Sequence, residues 1–201
     1  TAPIEVPETA QIIEAGSISA IIEPGASAVL DALARGRKHA LVFFDPNARP
    51  SIMGEPAVAL VSLERFIALA DVVKVSDEDI EWLTGGVPID KVVDRWLGMG
   101  PSLVVVTRGK HGSDVATASG VRFTKTPGDV EVVDTVGAGD SFMGGMIDAM
   151  WGMGLRGADA RETLSALPEE QVRAIIDRAS AVSDVTVSRK GANPPWAHEL
   201  S

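Results

Sequence analysis

Asp134-Thr135-Val136-Gly137-Ala138-Gly139-Asp140-Ser141-Phe142 is the segment of this 201-residue sequence whose residue types and order can do chemistry. It lies between an apolar run ending in Val132-Val133 and a stretch whose apolar positions, Phe142, Met143, Met146 and Ile147, repeat with helical spacing. Glycines here let the chain pass tightly from strand to helix and bring backbone N–H groups close to a ligand. The unpaired N–H groups and positive dipole end of the helix make an anion site, and an oxyanion of a transferring phosphoryl group suits it. Asp140, in the first turn, would lie beside that group and accept a proton from an attacking hydroxyl. Taken alone, helix capping is the more ordinary role for such an aspartate, and turn formation for Asp134. The two common nucleotide motifs fail. Phe142 stands where G-x-G-x-x-G needs its last glycine, and Gly145-Met146 stands where a P-loop needs Lys-Ser or Lys-Thr.

Four further segments qualify as candidates, each with a plain alternative. Asp45-Pro46-Asn47-Ala48-Arg49-Pro50 follows a buried strand, where open α/β sheets gather ligands, and in isolation is a turn. Ser76-Asp77-Glu78-Asp79 opens a helix, with Ser76 an ordinary N-cap and acids that complement the dipole. Thr107-Arg108-Gly109-Lys110-His111-Gly112 ends the most β-rich strand and reads as a turn whose Lys110 and His111 are solvated. Gly191-Ala192-Asn193-Pro194-Pro195 closes regular structure near the end. His39, His111 and His198 are scattered singly and receive no role. The Trp and Met residues on helical stripes, Trp82, Trp96, Met143 and Met146, read as core.

To position these residues the chain offers short β-rich runs alternating with helical stretches, the pattern of a mostly parallel sheet covered by helices on both faces. Strands are expected over 12–19, 40–45, 72–75 and 103–107, with helices over 24–35, 56–70, 77–83 and 89–99. Residues 113–133 read as three short strands in an antiparallel meander broken at Ser119-Gly120 and Pro127-Gly128. A long helix is expected over 139–153, a short helix and loop over 155–168, and a last helix over 169–182. No repeat or linker interrupts this, so residues 1–201 are expected to form a single α/β domain.

Composition narrows the class. Lys and Arg number 18 against 28 Asp and Glu, a formal net charge of −10, which disfavours nucleic acid and anionic lipid as partners. The absence of cysteine removes disulfides, thiolate metal sites and a cysteine nucleophile. No apolar run approaches the roughly 20 residues of a membrane span and no signal-like segment opens the chain, so a cytoplasmic location is expected. Thr1 stands where a start Met would, which leads us to expect further chain upstream.

DTVGAGDSFMGG resembles the second signature of the ribokinase-like (PfkB) carbohydrate kinases, in which Asp-Thr-x-Gly-Ala-Gly-Asp precedes a helix. The resemblance runs from about Gly16 to Pro195. It implies a three-layer α/β/α ribokinase-like fold, an anion hole made by the Gly137, Ala138 and Gly139 amides, and Asp140 as catalytic base. The run from Asp45 to Arg49 is similar to the family's D-x-N-x-R segment, most of all in bacterial fructokinases. By that likeness Asn47 faces the sugar and Arg49 assists at the transferred phosphate. Ser76 and Asp79 occupy the positions of the family's N-x-x-E motif but depart from it in both residues, so any contact of Asp79 with a metal is expected through water. Thr107, Gly109 and Gly112 match a T-x-G-x-x-G loop near the nucleotide, and Asn193 lies in a segment resembling the loop over the adenine. The implied cofactors are ATP and Mg²⁺, with a monovalent cation left open. The implied partner is a small-molecule sugar, fructose first, with ribose, 2-keto-3-deoxygluconate or a nucleoside as alternatives. Family members are usually longer at the N-terminus, so the lid sheet is expected to be missing here, and a homodimer, which members often form through that lid, stays open. A non-catalytic nucleotide-binding module is the rival of another class.

Overall fold

Continuous apolar runs such as Leu41-Val42-Phe43-Phe44 and Leu103-Val104-Val105-Val106 have no solvent face, and in the structure, a computed structural model describing residues 3–200, they form the middle of one six-stranded sheet. Its strands are β1 (Ile12–Gly16), β2 (Leu41–Asp45), β3 (Val72–Ser76), β4 (Leu103–Thr107), β5 (Ser113–Thr117) and β6 (Arg122–Lys125), in that spatial order. The first four run parallel, and β5 and β6 return antiparallel. Gly16 lies level with Asp45 and Ser76 with Thr107, so the carboxyl ends of the parallel strands meet along one edge.

Pleat alternation divides the side chains between two cores. Val42, Phe44, Val73, Val75, Val104 and Val106 pack on one side with α1 (Gly25–Gly36), α3 (Pro56–Ile67), α4 (Asp77–Thr84) and α5 (Ile89–Leu97), through Leu33, Leu63, Phe66, Ile80 and Trp96. Leu41, Phe43, Val72, Leu103 and Val105 pack on the other with α6 (Ala138–Gly152), α7 (Ala160–Ser165) and α8 (Glu169–Val187), through Phe142, Met146, Met150, Leu164 and Ile175. The result is the expected three-layer α/β/α arrangement. Each fully buried large side chain contributes about 1.5–3 kcal/mol, so the two cores fix the layers on which the strand ends are carried. At the opposite edge Asp71, 1% exposed, accepts from the Val42 amide at 2.8 Å, from Arg161 Nε at 2.6 Å and from Arg37 at 3.3 Å.

Several boundaries differ from expectation. Strand β1 stops at Gly16, and 17–20 form a 3₁₀ turn. The meander holds two strands, not three: beyond Pro127-Gly128 no strand forms, and Val132 and Val133 stay 57% and 50% exposed while the Val133 and Asp134 amides bond the Val187 carbonyl at the end of α8. The run is held instead by the end of α8 and leaves the outer side of β6 unpaired. A one-turn helix, α2 (Pro50–Met53), follows Arg49 unexpectedly, and α8 continues five residues beyond Val182. Among the described residues no helix is long and apolar enough to cross a membrane.

Candidate active site

Helix α6 begins over the carboxyl ends of the parallel strands. Its N-cap is Gly137, in the left-handed region at φ 79°, and no side chain caps it. Ala138, Gly139 and Asp140 are its first three residues, and their amides have no acceptor one turn earlier. The Ala138 amide reaches only the Thr135 carbonyl, at 3.2 Å. Asp140 is therefore not the cap: it is exposed, and no hydrogen bond engages its carboxylate among the described residues. The ordinary explanation for an aspartate at this position falls away, and a free carboxylate stands beside a set of outward amides. Ser141 fixes the helix start by donating from Oγ to the Gly137 carbonyl at 2.7 Å, and Thr186 on α8 donates to Ser141 Oγ at 2.9 Å.

A cleft opens from this helix end, lined by Thr107, Gly109, Gly112, Ser113, Ala138, Gly139, Phe142, Ser183 and Asp184 among others. The sequence-expected residues of the Thr107 to Gly112 loop and of the glycine turn thus share one wall-to-wall space. Four polar residues in it were not anticipated: Ser113, Ser180, Ser183 and Asp184. Ser113 is 2% exposed, and its Oγ is buried without a hydrogen-bond partner. Asp184 is half-buried, and burial pushes its carboxyl above the usual range against the opposing pull of Lys125.

Asn47 and Arg49 stand at the mouth of β2 and engage each other. Arg49 Nη1 donates to Asn47 Oδ1 at 2.6 Å and to the Ala48 carbonyl at 2.9 Å. Asn47 is held by three ties: its amide bonds Asp45 Oδ1 at 3.1 Å, its carbonyl accepts from Ser17 Oγ at 3.0 Å, and its backbone takes φ 37°. Ser76 and Asp79 form a reciprocal capping box. The Asp79 amide donates to Ser76 Oγ at 3.0 Å, the Ser76 amide to Asp79 Oδ2 at 3.4 Å, and Asp79 Oδ1 also accepts from the Ala48 amide at 3.0 Å. Both Asp79 oxygens are occupied by backbone, so this residue joins the Asn47 loop to α4. Among the described residues no group of three or more His, Asp or Glu is placed to hold a metal. Asn193 lies exposed beyond α8 and does not line the cleft; its neighbour Ala192 abuts Gly137. Asp134 forms a turn by accepting from Val136 at 3.0 Å and also clasps the Gly191 amide at 2.9 Å, contacts that hold its carboxyl below the usual range.

Sequence reasoning missed the floor beneath these loops. Glu14, Asp45 and Lys74 all occupy pleat positions on the α6 side of their strands. Lys74 donates to Asp45 at 2.6 Å, both side chains being 6% exposed. Burial raises the Asp45 carboxyl, with Lys74 and the Asn47 amide opposing. Partial burial likewise raises Glu14, reinforced by the charges of Asp45 and Asp140. The signal was present: a charged residue interrupts the apolar runs Ile12-Ile13-Glu14-Ala15 and Val72-Val73-Lys74-Val75.

The pfkB family carbohydrate kinase profile matches residues 3–199. A probable fructokinase-2 of Arabidopsis thaliana is 32% identical over 194 residues, covering 95% of this chain and 56% of the relative. A fructokinase of Rhizobium leguminosarum bv. trifolii is 35% identical over 136 residues, covering 67% of this chain and 41% of the relative. Among solved structures, fructokinase with bound ATP from Xylella fastidiosa superposes with a TM-score of 0.81 at 28% identity, over 92% of this chain and 57% of that one. A fructokinase double mutant from Vibrio cholerae O395, in a form with fructose, ADP and potassium ion bound, gives 0.77 at 27% identity, over 94% and 58%. The fold is that of these ribokinase-like enzymes, and the chain spans about half the length of the curated relatives it matches. With a glycine turn heading α6, a free aspartate in its first turn and a family match over nearly all its length, the chain belongs to the pfkB family of carbohydrate kinases.

Proposed function

We propose that the chain is the nucleotide-binding and catalytic part of an ATP-dependent sugar kinase that transfers the γ-phosphoryl group to a sugar hydroxyl. One observation carries this: an uncommitted carboxylate, Asp140, sits in the first turn of a helix whose uncapped N-terminal residues Ala138 and Gly139 line the head of a cleft. Asp140 takes the proton from the attacking hydroxyl, whose oxygen bonds to the γ-phosphorus as the bond to the bridging oxygen breaks and ADP leaves. The amides of Gly137, Ala138 and Gly139 hold the negative charge on the transferred group, aligned beforehand by α6 and needing no reorganisation. Arg49, its fork already oriented by Asn47, supplies a permanent charge from the opposite loop. Thr107, Gly109, Gly112, Ser113 and Asp184 receive the rest of the nucleotide, and Asn193 approaches from the loop clasped by Asp134. Mg²⁺ arriving with the nucleotide would neutralise charge on the phosphates. With both Asp79 oxygens engaged by backbone amides, Asp79 would support it only through water. Asn47 faces the sugar, and Ser76 orients Asp79.

Fructose is the proposed sugar, supported by the Asp45-Pro46-Asn47 form of the loop and by relatives named fructokinases. Coupled ADP release by the full-length protein with fructose, ribose, 2-keto-3-deoxygluconate and nucleosides tests this, and preference for any but fructose overturns it. A second reading, a nucleotide-binding module without turnover, is favoured by the backbone occupancy of both Asp79 oxygens. It is distinguished by ATP binding that never becomes sugar-dependent ADP release.

A further inference from the structure

The floor of the cleft carries a charge arrangement that the motifs leave unexplained. Lys74 is 4% exposed and lies between Val73 and Val75 in a strand otherwise apolar up to Ser76. Burying an ammonium is costly unless it is paired, and Asp45 pairs it at 2.6 Å. The tip of this lysine stands beside α6: a Cβ added to Gly139 would lie 2.8 Å from Lys74 Nζ, closer than real contacts allow. Around it are three carboxylates, Asp45, Glu14 and Asp140, the latter two close enough for Asp140 to hinder ionisation of Glu14. Without the ammonium every side-chain charge at this floor would be negative, and a polyphosphate would be repelled from the very amides meant to receive it.

We infer that Lys74 is a positioning residue for the transferred phosphoryl group: pinned by Asp45 beneath Gly139, it offsets the acidic floor and adds a full positive charge to the amide end of α6. A side chain at residue 139 would have to displace the ammonium from its place beneath the helix end. Gly139 thus serves the lysine below as well as the ligand above. This inference rests on the kinase reading and assigns Lys74 no contact with the reacting atoms.

The test is calorimetric titration of the wild-type chain, K74R, K74M and K74M/D45N with ATP and separately with ADP, at fixed Mg²⁺, with thermal unfolding of each recorded. K74M/D45N replaces the buried pair by uncharged groups of similar size and is expected to fold, as such replacements commonly do. It removes one charge of each sign, with the ammonium the nearer of the two to Gly139, so it should bind ADP within about threefold of wild type and lose only a few-fold in preference for ATP over ADP, whereas K74M should lose about tenfold or more, the size of one lost charge interaction across a partly screened site. K74R should keep most of the preference, and K74M, which leaves Asp45 uncompensated, should lose the most; if K74M fails to fold, the other three decide. An unchanged ATP preference in folded K74M/D45N overturns the inference. So does a parallel loss of ATP and ADP binding that tracks the melting temperature, which would mark Lys74 as structural. Wild-type chain that binds neither nucleotide overturns the kinase reading itself, a result separate from either of these.

Discussion

Replacing Gly137 by alanine should damage the site in two ways whose sizes follow from its geometry. At φ 79° and ψ 2° the residue is left-handed, which costs a side chain about 1–2 kcal/mol. The new Cβ would also stand 2.8 Å from Ala192 Cβ and 3.2 Å from Ala192 Cα, so the loop clasped by Asp134 must move, an overpacking cost of about 1–3 kcal/mol. Together these give roughly 2–5 kcal/mol, and at about 2–4 °C per kcal/mol for a chain of this size the melting temperature should fall by roughly 4–20 °C. The internal control lies seven residues along the same helix. Gly144 is exposed, helical, and has nothing within 4 Å of an added Cβ, so Gly144→Ala should gain about 0.5–1 kcal/mol. Circular dichroism melts of both variants, with ATP titrations, give the readout. Gly137→Ala should melt lower and bind ATP more weakly, and Gly144→Ala should melt higher with binding unchanged. Shifts of the same sign, or a Gly137→Ala melt within a degree of wild type, would refute the reasoning from the turn.

Other consequences are equally direct. Asp71→Ala leaves the Val42 amide and two arginines without their buried acceptor, and should destabilise by about 3–5 kcal/mol in urea titrations, whereas Asp77→Ala, a half-buried residue in the first turn of α4, should cost about 1 kcal/mol or less. Glu14 has its carboxyl raised by burial and by Asp45 and Asp140, so the folded state keeps a proton that the unfolded chain has lost. Stability from this group is therefore present below the ordinary glutamate range and falls as pH rises through the raised value. Glu14→Gln should raise the urea midpoint at pH 7 and change it little at pH 4, and equal shifts at both would contradict the assigned cause. Ser113→Ala removes a buried hydroxyl that has no partner in the protein, so it should leave the melting temperature unchanged or raise it slightly, and a fall of several degrees would contradict the absence of a partner.

The layers were legible because buried parallel strands are continuous apolar runs, and helices announce themselves by stripes such as that of Val92, Val93 and Trp96. Short-range chemistry was legible too: the glycine turn, the Ser76 capping box and the Asp134 turn are local contacts written in adjacent residues. Pairing partners were not. Whether Val130 to Val133 form a strand depends on what else holds the run, here the end of α8, which local sequence does not state. The Lys74 to Asp45 pair joins residues 29 positions apart, and the cleft brings Ser113 beside a helix that begins well beyond it in sequence. The reversal over Asp140 has the same origin. A helix start allows capping or catalysis, and only the left-handed Gly137 taking the cap position leaves Asp140 free for the second.

The central assignment is therefore best tested on Asp140 itself. Because its carboxylate is exposed and bonded to nothing among the described residues, Asp140→Asn should fold and melt like the wild type and bind ATP at least as well. In a coupled ADP-release assay on the full-length protein with saturating sugar, kcat should fall by about 10²–10⁴, the usual contribution of a general base. Turnover within a few-fold of wild type in a folded, ATP-binding Asp140→Asn protein would contradict the assignment of Asp140 as the base.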